Sequence, residues 1–305
     1  MSSSAGAPSR SLVAAGFAVV YLVWGSTYLA IRVAIETLPP FLMAGTRFLI
    51  AGLLMYGFAR LRGAGPGSWR EWRGAALLGA LFLLFGNGGV VWAEQRVPSG
   101  LAAVLVAPLP IWTAIIEWVR PGGRRPGLAT TIGLVAGFAG VAVLVAPGRD
   151  GNAAVDHVGA AVLIMASLSW AIASVASRGL PQPDSGALAS GMQMLAGGVW
   201  LTLAALATGE VHAVEPDNIT LRSAGALLYL ITFGSLLGFG VFTWLLRVST
   251  PARVATYAYV NPIVAVLLGW ALAGEPFGPR ELAAAAIIVG GVALITTAKA
   301  VGGRR

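Results

Sequence analysis

Segments of this chain recur at a fixed distance. Trp24 and Arg32 of the first apolar segment reappear with identical spacing as Trp170 and Arg178 of the sixth, an offset of 146 residues that also carries Gly45, Arg47 and Gly52 onto Gly191, Gln193 and Gly198. Farther along the offset becomes 152: Gly86, Gly88 and Trp92 superpose on Gly238, Gly240 and Trp244, and Pro110 and Trp118 on Pro262 and Trp270. Two related halves follow. If each half crosses a membrane five times, an odd number, the second must sit in the bilayer upside down relative to the first. Inverted repeats of this kind mark secondary transporters, whose substrate site lies near the midplane between the halves. Transport is therefore the leading expectation.

The apolar content supplies the membrane that this reasoning assumes. Hydrophobic residues fill 57% of the 305 positions and charged ones 10%, with a mean hydropathy of +0.81, far from the composition of a soluble domain. A spanning helix takes roughly 20 mainly apolar residues. Ten such stretches lie near 12–35, 40–61, 73–94, 98–119, 127–146, 157–178, 185–208, 223–247, 252–273 and 281–300. The expected architecture is all-α and integral to the membrane: ten transmembrane helices in two inverted five-helix repeats, residues 1–148 and 149–305. Connections of no more than about 15 residues leave no room for a soluble catalytic domain.

Short cytoplasmic loops carry the excess of Lys and Arg. One side of the ten-span arrangement collects 14 of the 20 basic residues, among them Arg60, Arg62, Arg70, Arg73, Arg120, Arg124, Arg125, Lys299, Arg304 and Arg305, and the other side only Arg96, Arg149, Arg222 and Arg280. Both termini are expected in the cytoplasm. The same asymmetry accounts for a net charge of +8 without nucleic acid, since the basic residues are scattered over many short segments with no folded module to present them. The first apolar run is too long for a signal peptide and holds part of the repeat. With no cysteine, disulfides and thiolate metal sites are excluded. Nineteen of the 20 basic residues are Arg, and Ala and Gly abound, which points to a GC-rich bacterial genome and thus to a bacterial inner membrane.

Several motifs carry a family resemblance. The first span reads Leu22-Val23-Trp24-Gly25-Ser26-Thr27-Tyr28; the third ends Gly86-Asn87-Gly88 and Trp92-Ala93-Glu94-Gln95; the fourth begins Val97-Pro98-Ser99-Gly100; and the ninth carries Tyr257-Ala258-Tyr259-Val260-Asn261-Pro262, then Gly274-Glu275-Pro276. From about residue 12 to 300 the chain resembles the EamA-type branch of the drug/metabolite transporter superfamily. The resemblance implies export of amino acids, aromatic ones included, or of other small metabolites. It does not specify the cargo.

The candidate site comes from residues that are costly in an apolar span. Arg47 in the second span costs roughly 2.5 to 3.5 kcal/mol on insertion scales if left in lipid, so it must face a cavity or a partner. It either attracts a substrate carboxylate or locks spans by an ion pair, with Glu36 as the candidate partner; its inverted mate is the neutral Gln193. Trp24 and Tyr28 share one helical face, and Trp170, Ser174 and Ser177 form the matching face of the sixth span. Such aromatic walls with hydroxyls suit an amphipathic solute, or else pack the bundle. Asn87, Val91 and Glu94 lie on one face of the third span; Asn87 either touches substrate or bonds across helices, and Glu94 either snorkels, pairs with Arg96, or serves a proton or gating role. Tyr257 and Asn261 share a face of the ninth span. Pro110 and Pro262 occupy matched positions in spans four and nine, and paired helix interruptions point to a binding site or hinge. Gly133, Gly137, Gly140, Gly234, Gly238 and Gly240 read as tracks for close helix packing. Trp69 and Trp72 fall in a cytoplasmic loop.

Other classes lose ground. His157 and His212 stand alone in outer-side loops, so neither a buried general base nor a metal cluster is available, and no cofactor is implied. Without a Walker motif, nucleotide hydrolysis cannot drive transport directly. No Asp or Glu sits at the centre of a span, unlike the deep carboxylate that an exchanger of lipophilic cations needs. The expectation is an alternating-access exporter of small amphipathic metabolites, acting as a monomer in the lipid bilayer, around a cavity lined by spans one, three, four, six, eight and nine. The alternatives are a multidrug or other organic-solute exporter, a passive channel, and a non-transporting membrane enzyme or scaffold.

Overall fold

Polar side chains placed just before apolar runs determine where the helices begin. Ser9 accepts from the Leu12 amide and starts α1 (Arg10–Ala34), and Ser68 with Glu71 forms a reciprocal capping box for α3 (Trp69–Ala93). Asp156 accepts from Gly159 N at 2.7 Å to open α7 (His157–Ala176). Ser185 and Thr220 do the same for α8 (Gly186–Ala207) and α9 (Leu221–Val248). At the start of α2 (Pro40–Leu61) a proline supplies the preset backbone, and the Glu210 carboxylate, arriving from the α8–α9 connection, accepts from the Leu42 amide at 2.9 Å.

The computed structural model describes residues 8–97, 99–123, 125–145, 156–273 and 279–298. Pro98, the Gly274-Glu275-Pro276 motif, the 148/149 boundary, Arg124, Arg149, Lys299, Arg304 and Arg305 lie outside the described residues, as do the side chains of Ser99, Trp270 and Arg280. Among the described residues every regular element is helical. The order continues with α4 (Ser99–Val106), α5 (Leu109–Val119), α6 (Leu128–Val145), α10 (Pro251–Val254), α11 (Tyr257–Ala273) and α12 (Pro279–Thr297). Six helices, α1, α2, α3, α7, α8 and α9, are long and apolar enough to cross a membrane, and α5, α6 and α12 contain shorter apolar helices. Their outer faces expose Leu22, Leu53, Leu128, Val135 and Leu206, the surface that lipid would cover.

Three departures from the sequence expectation have physical causes. Trp69 and Trp72 belong to the first turn of α3 because the Ser68 capping box begins the helix earlier than hydropathy suggests. Neither the fourth nor the ninth apolar stretch is a single helix. The fourth breaks at Ala107–Pro108, so Pro110 sits in the first turn of α5, where its missing N–H costs nothing; the ninth breaks at Ala255–Thr256, and Pro262 lies inside α11. Finally, α3 and α9 each contain a π-helical stretch, Ala80–Gly88 and Leu230–Phe239. Such wide turns frequently occur at functional sites.

Glycine permits the closest helix contacts. A Cβ on Gly52 of α2 would lie 2.7 Å from the Leu195 nitrogen of α8, and one on Gly191 would lie 2.7 Å from the Tyr56 nitrogen, so the two backbones touch. On the other flank a Cβ on Gly133 of α6 would come within 2.6 Å of the Gly291 carbonyl oxygen of α12, and Gly137 and Gly140 meet Tyr259 and Ile288. The remaining helices close around the centre between these two flanks.

Candidate functional site

Trp24, Thr27, Tyr28 and Ile31 follow the helical repeat along one face of α1 and form one wall of a central cavity of about 70 Å³. Arg47 and Phe48 reach it from α2, Gly86 and Asn87 from the π-helical stretch of α3, and Ser167 and Trp170 from α7. Gly234 and Phe239 of α9 and Tyr257 and Asn261 of α11 complete it, with Val106 and Leu109 flanking the break in the fourth stretch. The cavity thus draws on all six expected spans and on the second as well. Its volume is well below the roughly 300–1,000 Å³ usual for a small-molecule site. An organic solute needs it to widen.

Arg47 is 3% exposed. Its Nε donates to Ser235 Oγ at 2.7 Å, and the guanidinium carbon stands 4.6 Å from the centre of the Phe48 ring. The expected ion pair with Glu36 does not form: Glu36 lies 3.7 Å from Arg222 instead. Arg47 Nη1 is buried with no acceptor, as is Trp170 Nε1, while Asn87 Oδ1 and Asn261 Oδ1 are buried with no donor. Each such group costs about 1–3 kcal/mol unless something pairs with it. Two orphaned donors, one of them cationic, and two orphaned acceptors therefore surround one small cavity.

Aromatic rings stand beneath the cavity. Trp24 and Trp170, the mates related by the repeat, meet edge to face at 5.5 Å, and Tyr257 lies edge-on to Trp24 at 4.8 Å. Phe82 packs on Trp170 at 5.0 Å and on Phe242 at 5.5 Å. Trp24 is held by its indole N–H, which donates to the Gly234 carbonyl at 3.1 Å. Glycines shape this cluster: a Cβ on Gly238, one of the expected packing glycines, would lie 2.5 Å from Trp24 Nε1, and a Cβ on Gly86 would lie 2.6 Å from the Trp170 ring.

Phe82 also lines a second cavity of about 470 Å³, so the rings partition the two. Gln193 belongs here. It is 2% exposed, its Nε2 donates to Gln182 Oε1 at 3.1 Å, and Ser177, Arg178, Asp184 and Arg247 share the lining. Ser174 lines neither cavity; its hydroxyl donates to the Trp170 carbonyl on its own helix at 2.8 Å. Pro110 and Pro262 are buried but line neither cavity. An apolar groove of about 690 Å³ runs between Leu84, Phe85 and Trp92 of α3 and Val158, Val162 and Met165 of α7.

Glu94 departs furthest from expectation. It neither snorkels nor pairs with Arg96, whose guanidinium stacks on Trp92 at 4.6 Å; the carboxyl is 0% exposed. Sequence reading also passed over Thr27, Ser167 and Ser235. Thr27 was findable, lying three residues from Trp24 on the same face, whereas Ser235 sits in a π-helical stretch whose register no 3.6-residue periodicity predicts.

With this geometry in place, comparison with known proteins is informative. The profile of the EamA-like transporter family matches residues 12–146 and 157–297. The chain is 40% identical over 281 residues to the Escherichia coli (strain K12) protein called uncharacterized inner membrane transporter YedA, spanning 92% of this chain and 89% of that one. It is 27% identical to the Bacillus subtilis (strain 168) protein called uncharacterized transporter YvbV over 92% of this chain and 90% of the relative, and 26% identical to protein PecM of Dickeya dadantii (strain 3937) over 90% and 88%. A crystal structure at 22% identity superposes with a TM-score of 0.74, covering 94% of this chain and 97% of the other, which shows a common fold.

Proposed function

The chain belongs to the EamA-like transporter family, and on that premise we propose that it is a secondary transporter of small amphipathic metabolites bearing a carboxylate, foremost amino acids including aromatic ones. It works in a bacterial inner membrane, in keeping with the name of its Escherichia coli relative. The observation that carries this reading is the set of buried, unpaired polar atoms around the central cavity. Arg47 Nη1 and Trp170 Nε1 offer donors to a carboxylate, with the charge-assisted bond supplied by the guanidinium. Asn87 Oδ1 and Asn261 Oδ1 offer acceptors to an ammonium. Trp24, Tyr28 and Tyr257 supply an apolar wall for the rest of the solute. The site's charge is positive at one end and neutral at the other, which favours a zwitterion over a quaternary cation.

The membrane arrangement in this reading is ten spans in two inverted repeats, 1–148 and 149–305, both termini cytoplasmic. One chain builds one cavity, so a monomer suffices. Transport runs by alternating access. The ring partition separates the central cavity from the second one, where Gln193 stands at the position matched to Arg47, and opening one side closes the other as the interrupted helices near Pro110 and Pro262 bend. Ser174 holds Trp170 on its helix and acts through it. Export as the net direction rests on the family resemblance.

The test is solute counterflow in proteoliposomes with phenylalanine, phenylalaninamide, which lacks the carboxylate, and a lipophilic quaternary cation. Saturable exchange of phenylalanine with little or none of the other two is the expected result. Exchange of the cation in preference to phenylalanine would establish the multidrug alternative instead, and no exchange of any of the three would refute transport of this solute class.

A further inference from the structure

Glu94 terminates α3 in a dry setting. The preceding Ala93 and the following Val97 sit in an apolar cluster with Ala102, Val106 and Leu163, and neither carboxyl oxygen of Glu94 has a hydrogen-bond donor. An ionised carboxylate without donors is among the most costly groups to bury, so in this setting the side chain is best satisfied carrying a proton. The charged and titratable groups around it are few. From α1, Arg32 uses its Nη1 to donate to the Glu94 backbone carbonyl at 2.6 Å, and Tyr28 stands one helical turn before it on the same helix. Arg96 turns away onto Trp92. The facing α4 carries no titratable side chain, α7 carries only His157 at its first position with the Asp156 cap before it, and α2 carries Arg47 at the central cavity, with Tyr56 and Arg60 at its far, C-terminal end.

Tyr28 gives this carboxyl a route to the solute. Its ring lines the central cavity, and it stands one helical turn before Arg32, the α1 residue that bonds the Glu94 carbonyl. Water entering an opened cavity past Tyr28 would therefore reach the carboxyl beside Arg32.

We propose that Glu94 is the proton-binding site that couples this transporter to the proton gradient, taking up one proton on a carboxyl oxygen in one access state and releasing it to water entering the opened cavity in the other, in exchange for solute. The proton is the co-substrate, and no bond in the solute is made or broken. The inference rests on the transport reading above and adds the coupling ion and the residue that carries it.

The experiment uses the full chain in proteoliposomes with labelled phenylalanine, in two modes. Counterflow at equal pH on both sides measures exchange; accumulation under an imposed pH difference measures coupling. Wild type should do both. Glu94→Gln, fixed in the neutral form, should bind phenylalanine more weakly yet still exchange it at saturation, with a half-saturation that no longer depends on pH and without accumulation driven by the pH difference, whereas loss of a residue that merely packs would leave the pH dependence in place. Because Glu94→Gln could destabilise the chain, Glu94→Asp serves as a second variant, expected to keep pH-driven accumulation with an altered pH profile. As a readout on the unmodified protein, phenylalanine added to wild type in weak buffer with a pH indicator dye should displace protons, up to one per chain. Counterflow with no response to a pH difference, pH-driven accumulation surviving in Glu94→Gln, or no proton displacement in wild type each overturns the role of Glu94 while leaving transport standing. Absence of counterflow in wild type overturns the transport reading and this inference with it.

Discussion

Replacing Arg47 by Gln separates substrate reading from packing, and the structure sets the size of the effect. The guanidinium has one bond to Ser235 and one buried N–H end, Nη1, with no acceptor. If a solute carboxylate accepts from Nη1, a single charge-assisted hydrogen bond is lost on substitution, worth about 1.5–3 kcal/mol. Each 1.4 kcal/mol or so is tenfold in affinity, so half-saturation for phenylalanine in counterflow should weaken by about tenfold to hundredfold. Phenylalaninamide offers the internal control: it has no carboxylate and its ammonium is repelled by the guanidinium, so its poor affinity should stay the same or improve. Folding should survive, because Gln193 shows that a buried amide is tolerated at the matched position of the other half, and removing a buried unpaired charge is seldom destabilising. Equal weakening for acid and amide, or an unchanged half-saturation for phenylalanine, would refute carboxylate reading by Arg47.

The other predictions concern the frame that shapes this cavity. Gly238→Ala places a methyl 2.5 Å from Trp24 Nε1; overpacking costs about 1–3 kcal/mol, so the thermal unfolding temperature in detergent should fall and counterflow should slow, with unchanged values for both counting against the ring partition as described. Gly291→Ala puts a methyl 2.8 Å from the Gly133 carbonyl oxygen, with a similar thermal loss but unaltered solute selectivity; a change in selectivity would mean that this flank reaches the site. Asp156→Ala removes the cap bond to the Gly159 amide and should cost about 1 kcal/mol, read as a lower unfolding temperature that Asp156→Ser partly restores.

How far the sequence went can be judged residue by residue. The helical class and the family followed from hydropathy and the recurring motifs because both depend on local composition. Arg47 was legible because a guanidinium in an apolar run has only a cavity or a partner to go to, and Trp24 and Trp170 because residues matched by the sequence repeat meet edge to face. Ser174 and Gln193 illustrate the limit. Symmetry predicts that they match Tyr28 and Arg47, but Ser174 bonds back to its own helix and Gln193 faces the second cavity, so only one member of each pair reaches the central one. Asn87 and Glu94 were assigned to one face by a 3.6-residue repeat, and the π-helical turn between Ala80 and Gly88 alters that register. The depth of Glu94 could not be seen at all: it depends on α1 and α7 closing over the end of α3, contacts made by residues far away in the chain.

The most direct measurement is an experimental structure of the protein with phenylalanine bound. The carboxylate should lie about 2.7–2.9 Å from Arg47 Nη1, with the ammonium against Asn87 and Asn261 and the ring beside Trp24 and Tyr257. Phenylalanine found only in the Gln193 cavity or in the apolar groove between α3 and α7, with Arg47 still unpaired, would contradict the account.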